Sequence, residues 1–134
     1  MAQAFQMLYT EADANNNGRL AVLVRLILDG FAASTVIPHF DKTISIGRSR
    51  DISVSLIIQS LSQLEIMYTP AISRTIINKY DHILYLGSQD LDTTNYIATR
   101  AARTSEAVLS MPHSKTYLIV SSPSGQNCPL QHSQ

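Results

Sequence analysis

Two polar side chains directly follow apolar runs of the chain, at positions where a folded protein could use them for chemistry. Asp29 follows the run Leu20–Leu28, and Gln59 follows the next apolar run. If both runs are neighbouring strands, the acid and the amide lie at the carboxyl edge of a sheet, where open α/β sheets bind their ligands. Two arginines, Arg48 and Arg50, precede the second run in a segment with helical spacing. They add permanent positive charge near these strands.

Each of these residues also has a purely structural explanation. Asp29 could cap a turn or a helix, because short polar side chains accept hydrogen bonds from nearby backbone amides. Gln59 could simply begin the helix that follows it. Arg48 and Arg50 could lie on a solvated helix face. The residues by themselves leave these alternatives open.

The sequence does not support three other common features: a phosphate-binding loop, a zinc site or a disulfide. The phosphate-binding pattern Gly-x-x-x-x-Gly-Lys-Ser/Thr is absent, because none of the three lysines follows a glycine loop. The four histidines lie far apart, without the spacing of zinc ligands. Cys128 is the only cysteine, so the chain has no internal disulfide.

The composition is that of one small domain. The chain has 134 residues, 45% hydrophobic, and only 15% charged residues with a formal net charge of zero. This neutrality gives no overall field that would attract nucleic acid. No apolar run reaches the roughly 20 residues that span a bilayer. Glu11 and Asp13 precede the first apolar run and no lysine or arginine comes before Arg19, so the start of the chain does not resemble a signal peptide.

Strands and helices alternate along the chain, which predicts an α/β fold with a mainly parallel sheet flanked by helices. The run ending at Leu28 is apolar throughout except for Arg25, and it reads as a strand buried on both faces. Helices are predicted at 2–14, 39–50, 61–68, 70–79 and 90–103, and strands at 20–28, 52–58, 82–86 and 116–120. Ser60 is predicted to cap the third helix, with Gln63 as its structural partner. Residues 122–134 are rich in Ser, Pro, Gly and Gln and are predicted to form a flexible tail after a domain at 1–121.

The ordered set of motifs resembles the TraG/TraD-type coupling proteins of type IV secretion systems. Leu20–Ala32 is similar to the family's second nucleotide motif (Walker B), an apolar strand that ends in Asp-Glu-Phe-Ala. Ile46–Leu64 is similar to its Arg-Ser-Arg, Gln and Gln-Leu pattern, and Ile77–Gly87 to its next strand. The resemblance covers residues 5 to 130 and implies the C-terminal half of a RecA-like three-layer motor domain.

The family's site residues can be carried over position by position. The resemblance implies that Asp29 binds Mg²⁺ through water and that Gln59 senses the γ-phosphate of ATP. It implies that Arg48 reaches the nucleotide of the neighbouring subunit. Arg50 is the second candidate for this nucleotide contact. Gly30 departs from the family, which has a glutamate here to polarise the attacking water. Because general-base assistance is worth about 10²–10⁴-fold in rate, poor ATP hydrolysis is expected even in a complete motor.

The function implied by this resemblance is that of an ATP-driven motor segment. The complete protein would form a ring, hexameric in the family, on the cytoplasmic face of the bacterial inner membrane. It would pass single-stranded DNA with its relaxosome proteins to the secretion channel. The phosphate cradle and membrane helices would lie upstream, so the chain alone is not expected to bind ATP tightly or to hydrolyse it. A non-catalytic module that docks relaxosome proteins and a truncated mobile-element remnant are the alternatives. An unpaired sheet edge also predicts self-association.

Overall fold

A computed structural model describes residues 1–31 and 36–121. The predicted tail at 122–134 lies outside the described residues, so that boundary stays a prediction. The helices are α1 (Ala2–Ala14), α2 (Phe40–Ser49), α3 (Leu61–Met67), α4 (Pro70–Asn78), α5 (Leu91–Ala101) and α6 (Ser105–Leu109). The strands are β1 (Val24–Leu28), β2 (Ile52–Leu56), β3 (His82–Tyr85) and β4 (Tyr117–Val120). The chain divides into two compact units, one of residues 1–59 and 64–79, the other beginning with residues 60–63 and continuing from residue 80.

The first unit contains a parallel pair of strands. β1 and β2 pair in parallel from Val24 opposite Ile52 to Leu28 opposite Leu56. Helices α1 and α2 cover one face of this pair, where Ile52 packs beside Ala12 of α1 and beside Gly47 of α2. The parallel pairing and the flanking helices confirm the α/β prediction, because a parallel pair requires a crossover connection, here supplied by α2.

One prediction for this unit is wrong. The first strand was expected to be buried on both faces, but Arg25 and Ile27 are exposed, and Ile27 keeps 65% of its surface. Side chains alternate between the two faces of a strand, so these two residues share the face opposite to Val24, Leu26 and Leu28. The apolar run alone could not reveal this, because it reads the same whether one or two helical layers cover the sheet.

The second unit contains an antiparallel pair, which the alternation of strands and helices did not predict. β3 pairs with β4 from His82 opposite Val120 to Tyr85 opposite Tyr117. Tyr85 and Ile119 pack with Ile97, Ala98 and Val108 into a core between these strands and helices α5 and α6. Helix α6 was also not predicted. The presence of α6 explains why β4 runs antiparallel to β3: the chain changes direction once more between α5 and β4 than it would with a single helix.

Helices α3 and α4 begin with the expected capping chemistry. Ser60 Oγ accepts a hydrogen bond from the Gln63 backbone N–H at 3.2 Å, which confirms its predicted role as a cap. Thr69 caps α4 ahead of Pro70, and the Thr69 side chain accepts from the Ile72 N–H. Proline is suited to this position because the first helical N–H groups have no partner within the helix.

Candidate functional site at the carboxyl edge of the parallel strands

Asp29 and Gln59 follow the carboxyl ends of two strands that are direct neighbours. Leu28 and Leu56 are in register, and the Ile57 N–H donates to the Leu28 carbonyl at 2.9 Å, which continues the ladder one step beyond the strands. Asp29 is the next residue after β1, and Gln59 lies three residues after β2. Both are exposed. The expected placement of the acid and the amide at one edge is therefore confirmed, whereas their chemical roles stay predictions.

The turn that carries Asp29 is held by buried side chains on both sides. Leu28 is 4% exposed and Phe31 is fully buried, so only the two residues between them reach solvent. The Phe31 ring lies 4.6 Å from the Phe40 ring and stacks on Tyr68 at 6.2 Å, measured between ring centroids. This anchoring fixes where Asp29 can lie. The sequence reasoning did not find the role of Tyr68, because its contact with Phe31 joins residues that are distant in the chain.

Tyr68 also fixes the backbone that follows this turn. Its hydroxyl accepts a hydrogen bond from the Ile37 N–H and donates to the Ile37 carbonyl, both at 3.1 Å. Burial raises the pKa of the Tyr68 phenol above its usual value, while the hydrogen bond to the Ile37 backbone acts in the opposite direction. The phenol therefore stays protonated and keeps its donor at neutral pH.

Gly30 adopts a left-handed backbone with φ of 61°, and a Cβ atom built on it meets nothing within 4 Å. A side chain at this position would have space but would strain the backbone by about 1–2 kcal/mol. The backbone of this turn therefore favours glycine, at the position where the TraG/TraD-type coupling proteins have glutamate. This conformational cost was not visible in the sequence.

The segment that follows Gln59 is held by a polar network in the second unit. Ser62 Oγ donates to the Asp90 carboxylate at 2.6 Å, and the Leu61 N–H donates to Thr93 Oγ1 at 2.8 Å. Asp90 also caps α5 by accepting from the Thr93 N–H at 2.9 Å. The hydrogen bonds from Ser62 and Thr93 lower the pKa of Asp90 below its usual value. The sequence predicted a helix beginning at Asp90 but not this network.

The two arginines lie at the opposite, amino end of β2. Arg50 is the C-cap of α2 and forms an ion pair with Asp13, with Nη2 at 2.7 Å and Nε at 3.1 Å from Oδ1. Its guanidinium also lies over the Tyr9 ring at 5.4 Å. Arg48 is exposed in the last turn of α2 and donates to the Lys79 carbonyl at 3.1 Å. Within one chain, therefore, neither arginine is brought to the edge that carries Asp29 and Gln59.

The residues at the carboxyl edge fit a hydrated magnesium ion only in part. Mg²⁺ keeps several water molecules and is usually bound by one or two carboxylates together with substrate phosphates. Asp29 offers one exposed carboxylate of this kind. Across 1–31 and 36–121 no cluster of three or more acidic, histidine or cysteine side chains could hold a metal ion. The edge can therefore supply an outer ligand to a metal that another group, such as a nucleotide, already holds.

The fold is similar to that of bacterial conjugative coupling proteins. Unbound TrwBdeltaN70 matches with a TM-score of 0.73 at 14% identity, over 97% of this chain and 36% of that protein. TrwB in complex with the non-hydrolysable ATP analogue ADPNP matches with a TM-score of 0.76 at 14% identity, over 96% and 34%. TrwB in complex with ADP and Mg²⁺ matches with a TM-score of 0.72 at 15% identity, over 90% and 33%. The chain has part of the RecA-like α/β fold of these proteins and spans about a third of their length.

The sequence itself identifies the family. Residues 23–126 match the family described as the TraM recognition site of TraD and TraG. No curated protein matches the chain. Because the family match covers more than half of the chain, this protein belongs to the TraG/TraD family of conjugative coupling proteins.

Proposed function

We propose that this chain is the C-terminal part of the motor of a conjugative coupling protein, with its carboxyl edge facing a bound nucleotide. The observation that supports this most directly is the position of Asp29 and Gln59 after two strands in parallel register. An exposed carboxylate there suits a water-mediated contact with Mg²⁺, and an exposed amide at the same edge suits a contact with a phosphate oxygen. In the complete motor, the ATP and the Mg²⁺ would be held mainly by the upstream phosphate cradle.

Arg48 is proposed to act on the nucleotide of a neighbouring subunit. It lies at the amino end of β2, away from the carboxyl edge of its own chain, and it is exposed. Because Arg48 lies at the opposite end of β2 from the carboxyl edge, a nucleotide that it contacts would be one bound by another protomer. Arg50 is less suited to nucleotide contact, because Asp13 and the Tyr9 ring already engage its guanidinium.

The complete protein is proposed to work at the cytoplasmic face of the bacterial inner membrane as a ring. It would pass single-stranded DNA and relaxosome proteins to the secretion channel. Among the described residues, no helix is long and apolar enough to cross a membrane.

Metal-directed NMR tests the nucleotide-facing edge on a fusion of this chain to the upstream part of a related coupling protein, which supplies the phosphate cradle. Amide signals are recorded in the presence of ATP and paramagnetic Mn²⁺ in place of Mg²⁺. Broadening is expected around residues 29–31 and 57–59, and Asp29→Asn should raise the Mn²⁺ concentration at which it appears. Asp51→Asn is the matched control, because Asp51 lies at the opposite end of β2. Broadening that is absent from these residues, or a Mn²⁺ dependence that Asp29→Asn leaves unchanged, would contradict the proposal.

A second candidate function is a docking module without catalysis. The description of the matched family as a TraM recognition site favours it, and so does Gly30 in place of the family's glutamate. Titration of the chain with a purified TraM protein distinguishes the two functions. Saturable binding that Asp29→Asn and Gln59→Ala leave unchanged would support docking through a surface separate from the carboxyl edge.

A further inference from the structure

Gln59 lies midway between two hydrogen bonds that hold the backbone on either side of it. Two residues before it, the Ile57 N–H donates to the Leu28 carbonyl of β1 at 2.9 Å. Two residues after it, the Leu61 N–H donates to Thr93 Oγ1 of α5 at 2.8 Å. Four residues of extended chain span at most about 14 Å, so the backbone of Gln59 has little freedom between these two bonds. The position of Gln59 consequently depends on α5 as well as on β1.

The chain passes from the first unit to the second between Gln59 and Ser60. The hydrogen bond to β1 lies within the first unit, and the hydrogen bond to α5 lies within the second. Gln59 is thus the last residue of the first unit before this crossing, and its side chain is exposed at the carboxyl edge. A side chain that is proposed to contact a phosphate therefore directly precedes the segment that the second unit holds.

Asp90 fixes the direction of the hydrogen bond to Leu61. The Thr93 hydroxyl donates its single proton to Asp90 Oδ2, so Thr93 Oγ1 faces the Leu61 N–H as an acceptor. The same carboxylate accepts from the Thr93 N–H at 2.9 Å and, through Oδ1, from Ser62 Oγ at 2.6 Å. Thr93 is only 8% exposed, so water competes little for these bonds. Two successive residues after Gln59 and Ser60 are therefore tied to the start of α5.

Thr94 provides a contrast to Thr93 on the same helix. Thr94 is fully buried, and its hydroxyl donates to the Asp90 carbonyl at 2.8 Å, one turn back along α5. This is a bond within the helix start itself. Of the two threonines, Thr93 alone forms a hydrogen bond with the segment 60–63 among the described residues. Thr93 and Thr94 are therefore a matched pair, alike in type, burial and contact with Asp90 but different in their contact with the chain beside Gln59.

We propose that Thr93, held by Asp90, is a positioning residue for Gln59 and thereby sets the preference of the carboxyl edge for ATP over ADP. The inference rests on the proposed function, in which the Gln59 amide contacts a phosphate oxygen, here that of the γ-phosphate. Thr93 itself does not have to touch the nucleotide. Because coupling between two sites is reciprocal, a partner that shifts the start of α5 would change the affinity for ATP, and bound ATP would act on α5 by the same factor. The start of α5 is therefore a place from which binding to the second unit can regulate the nucleotide-facing edge.

The test titrates ADPNP and ADP, by calorimetry, into a fusion of this chain to the upstream part of a related coupling protein. Thr93→Val keeps the shape of the side chain and removes its hydroxyl. We expect it to weaken ADPNP binding by about tenfold, as for a lost hydrogen bond to a charged group, and to leave ADP binding unchanged. Thr94→Val is the matched control and should leave both affinities unchanged, although it also removes a buried hydrogen bond to Asp90. Thr93→Ser retains the hydroxyl and should bind both nucleotides as the unaltered fusion does.

A double-mutant cycle with Gln59→Ala distinguishes positioning from a general loss of stability. Gln59→Ala alone should weaken ADPNP binding, and Thr93→Val added to it should have no further effect, because no side chain remains to be positioned. Additive effects of the two changes would overturn the inference, and so would weaker binding of ADP in Thr93→Val. Circular dichroism verifies that each variant is folded.

The remaining outcomes separate this inference from the proposed function. If Gln59→Ala weakens ADPNP binding and Thr93→Val does not, the inference fails and the proposed role of Gln59 stands. If Gln59→Ala binds ADPNP as the unaltered fusion does, the proposed role of Gln59 fails, and the inference fails with it. Hydrogen exchange of the Leu61 amide in the chain itself checks the contact on which the inference depends. This amide should be protected in the unaltered chain and in Thr94→Val but not in Thr93→Val, and rapid exchange in the unaltered chain would overturn the inference.

Discussion

The ring of Phe31 stacks on the ring of Tyr68, with centroids 6.2 Å apart and planes within 10° of parallel. Phe31 lies two residues after Asp29, so this contact joins the end of α3 to the turn that carries the candidate ligand. The Tyr68 hydroxyl adds two hydrogen bonds to the Ile37 backbone. A single aromatic pair therefore positions the backbone after Asp29 as well as part of the core of the first unit.

Loss of this contact should lower stability in a graded way. We expect Phe31→Ala to lower the free energy of unfolding by about 3–5 kcal/mol, because a fully buried ring is removed. Tyr68→Phe should cost about 1–2 kcal/mol through the lost hydrogen bonds to Ile37. Tyr96→Phe is the matched control, since the buried Tyr96 hydroxyl has no hydrogen-bond partner among the described residues. Urea unfolding followed by circular dichroism measures all three, and an equal cost for the two tyrosine variants would contradict the assignment.

Gly30 and Gly18 allow a matched test of the turn. Both have a positive φ, 61° and 67°, and at both a built Cβ meets nothing within 4 Å. Replacing either glycine with alanine should lower stability by about 1–2 kcal/mol, because the left-handed backbone disfavours a side chain. Thermal unfolding measures this cost. A clearly smaller cost at Gly30 would show that its turn can relax to a different backbone conformation.

Gly30 and Gly18 also allow the chemical effect of a glutamate at position 30 to be distinguished from the effect of backbone strain. In a fusion of this chain to the upstream part of a related coupling protein, Gly30→Glu should raise ATP turnover by about 10²-fold or more, as expected for a restored general base. Gly18→Glu carries the same backbone strain away from the site and should give no increase. Turnover measured by phosphate release decides the question. Equal rates for the Gly30→Glu fusion and the unaltered fusion would remove Gly30 as the cause of weak hydrolysis.

Asp90 should make the stability of the second unit depend on pH in the acid range. The hydrogen bonds from Ser62 and Thr93 lower its pKa in the folded state, so ionised Asp90 stabilises the fold. This contribution is fully present above the unfolded pKa near 4 and is lost as the pH falls through the lower folded pKa. Asp90→Asn should therefore destabilise the chain at pH 7 and much less below pH 3. Urea unfolding at both pH values measures the difference, and Glu11→Gln is the control.

Arg48 and Arg50 are expected to have different roles, Arg48 in ATP turnover and Arg50 in stability. In a ring-forming fusion, Arg48→Lys should lower ATP turnover, because a lysine cannot reproduce the planar fork of the guanidinium. Arg50→Lys should leave turnover unchanged and cost up to about 1 kcal/mol, since its partner Asp13 is more than half exposed. Turnover and stability are measured on both variants. A loss of turnover confined to Arg50→Lys would reverse the assignment.

The sequence by itself determined most of the local elements and one edge of the site. The bounds of α1 agree with the prediction, and Ser60 caps its helix as expected, because helical periodicity and capping are encoded within a few residues. The parallel pairing of β1 with β2 followed from the helix between them. That pairing was enough to place Asp29 and Gln59 at the same edge, since parallel neighbours end on the same side.

Only the tertiary structure decided which surfaces are covered and which distant residues meet. The antiparallel pairing of β3 and β4 depends on the additional reversal at α6, and the exposure of Arg25 and Ile27 depends on which helices pack on β1. The contact of Arg50 with Asp13 and that of Ser62 with Asp90 join residues far apart in the chain. Such contacts arise from the packing of whole elements, and periodicity along the chain does not predict them.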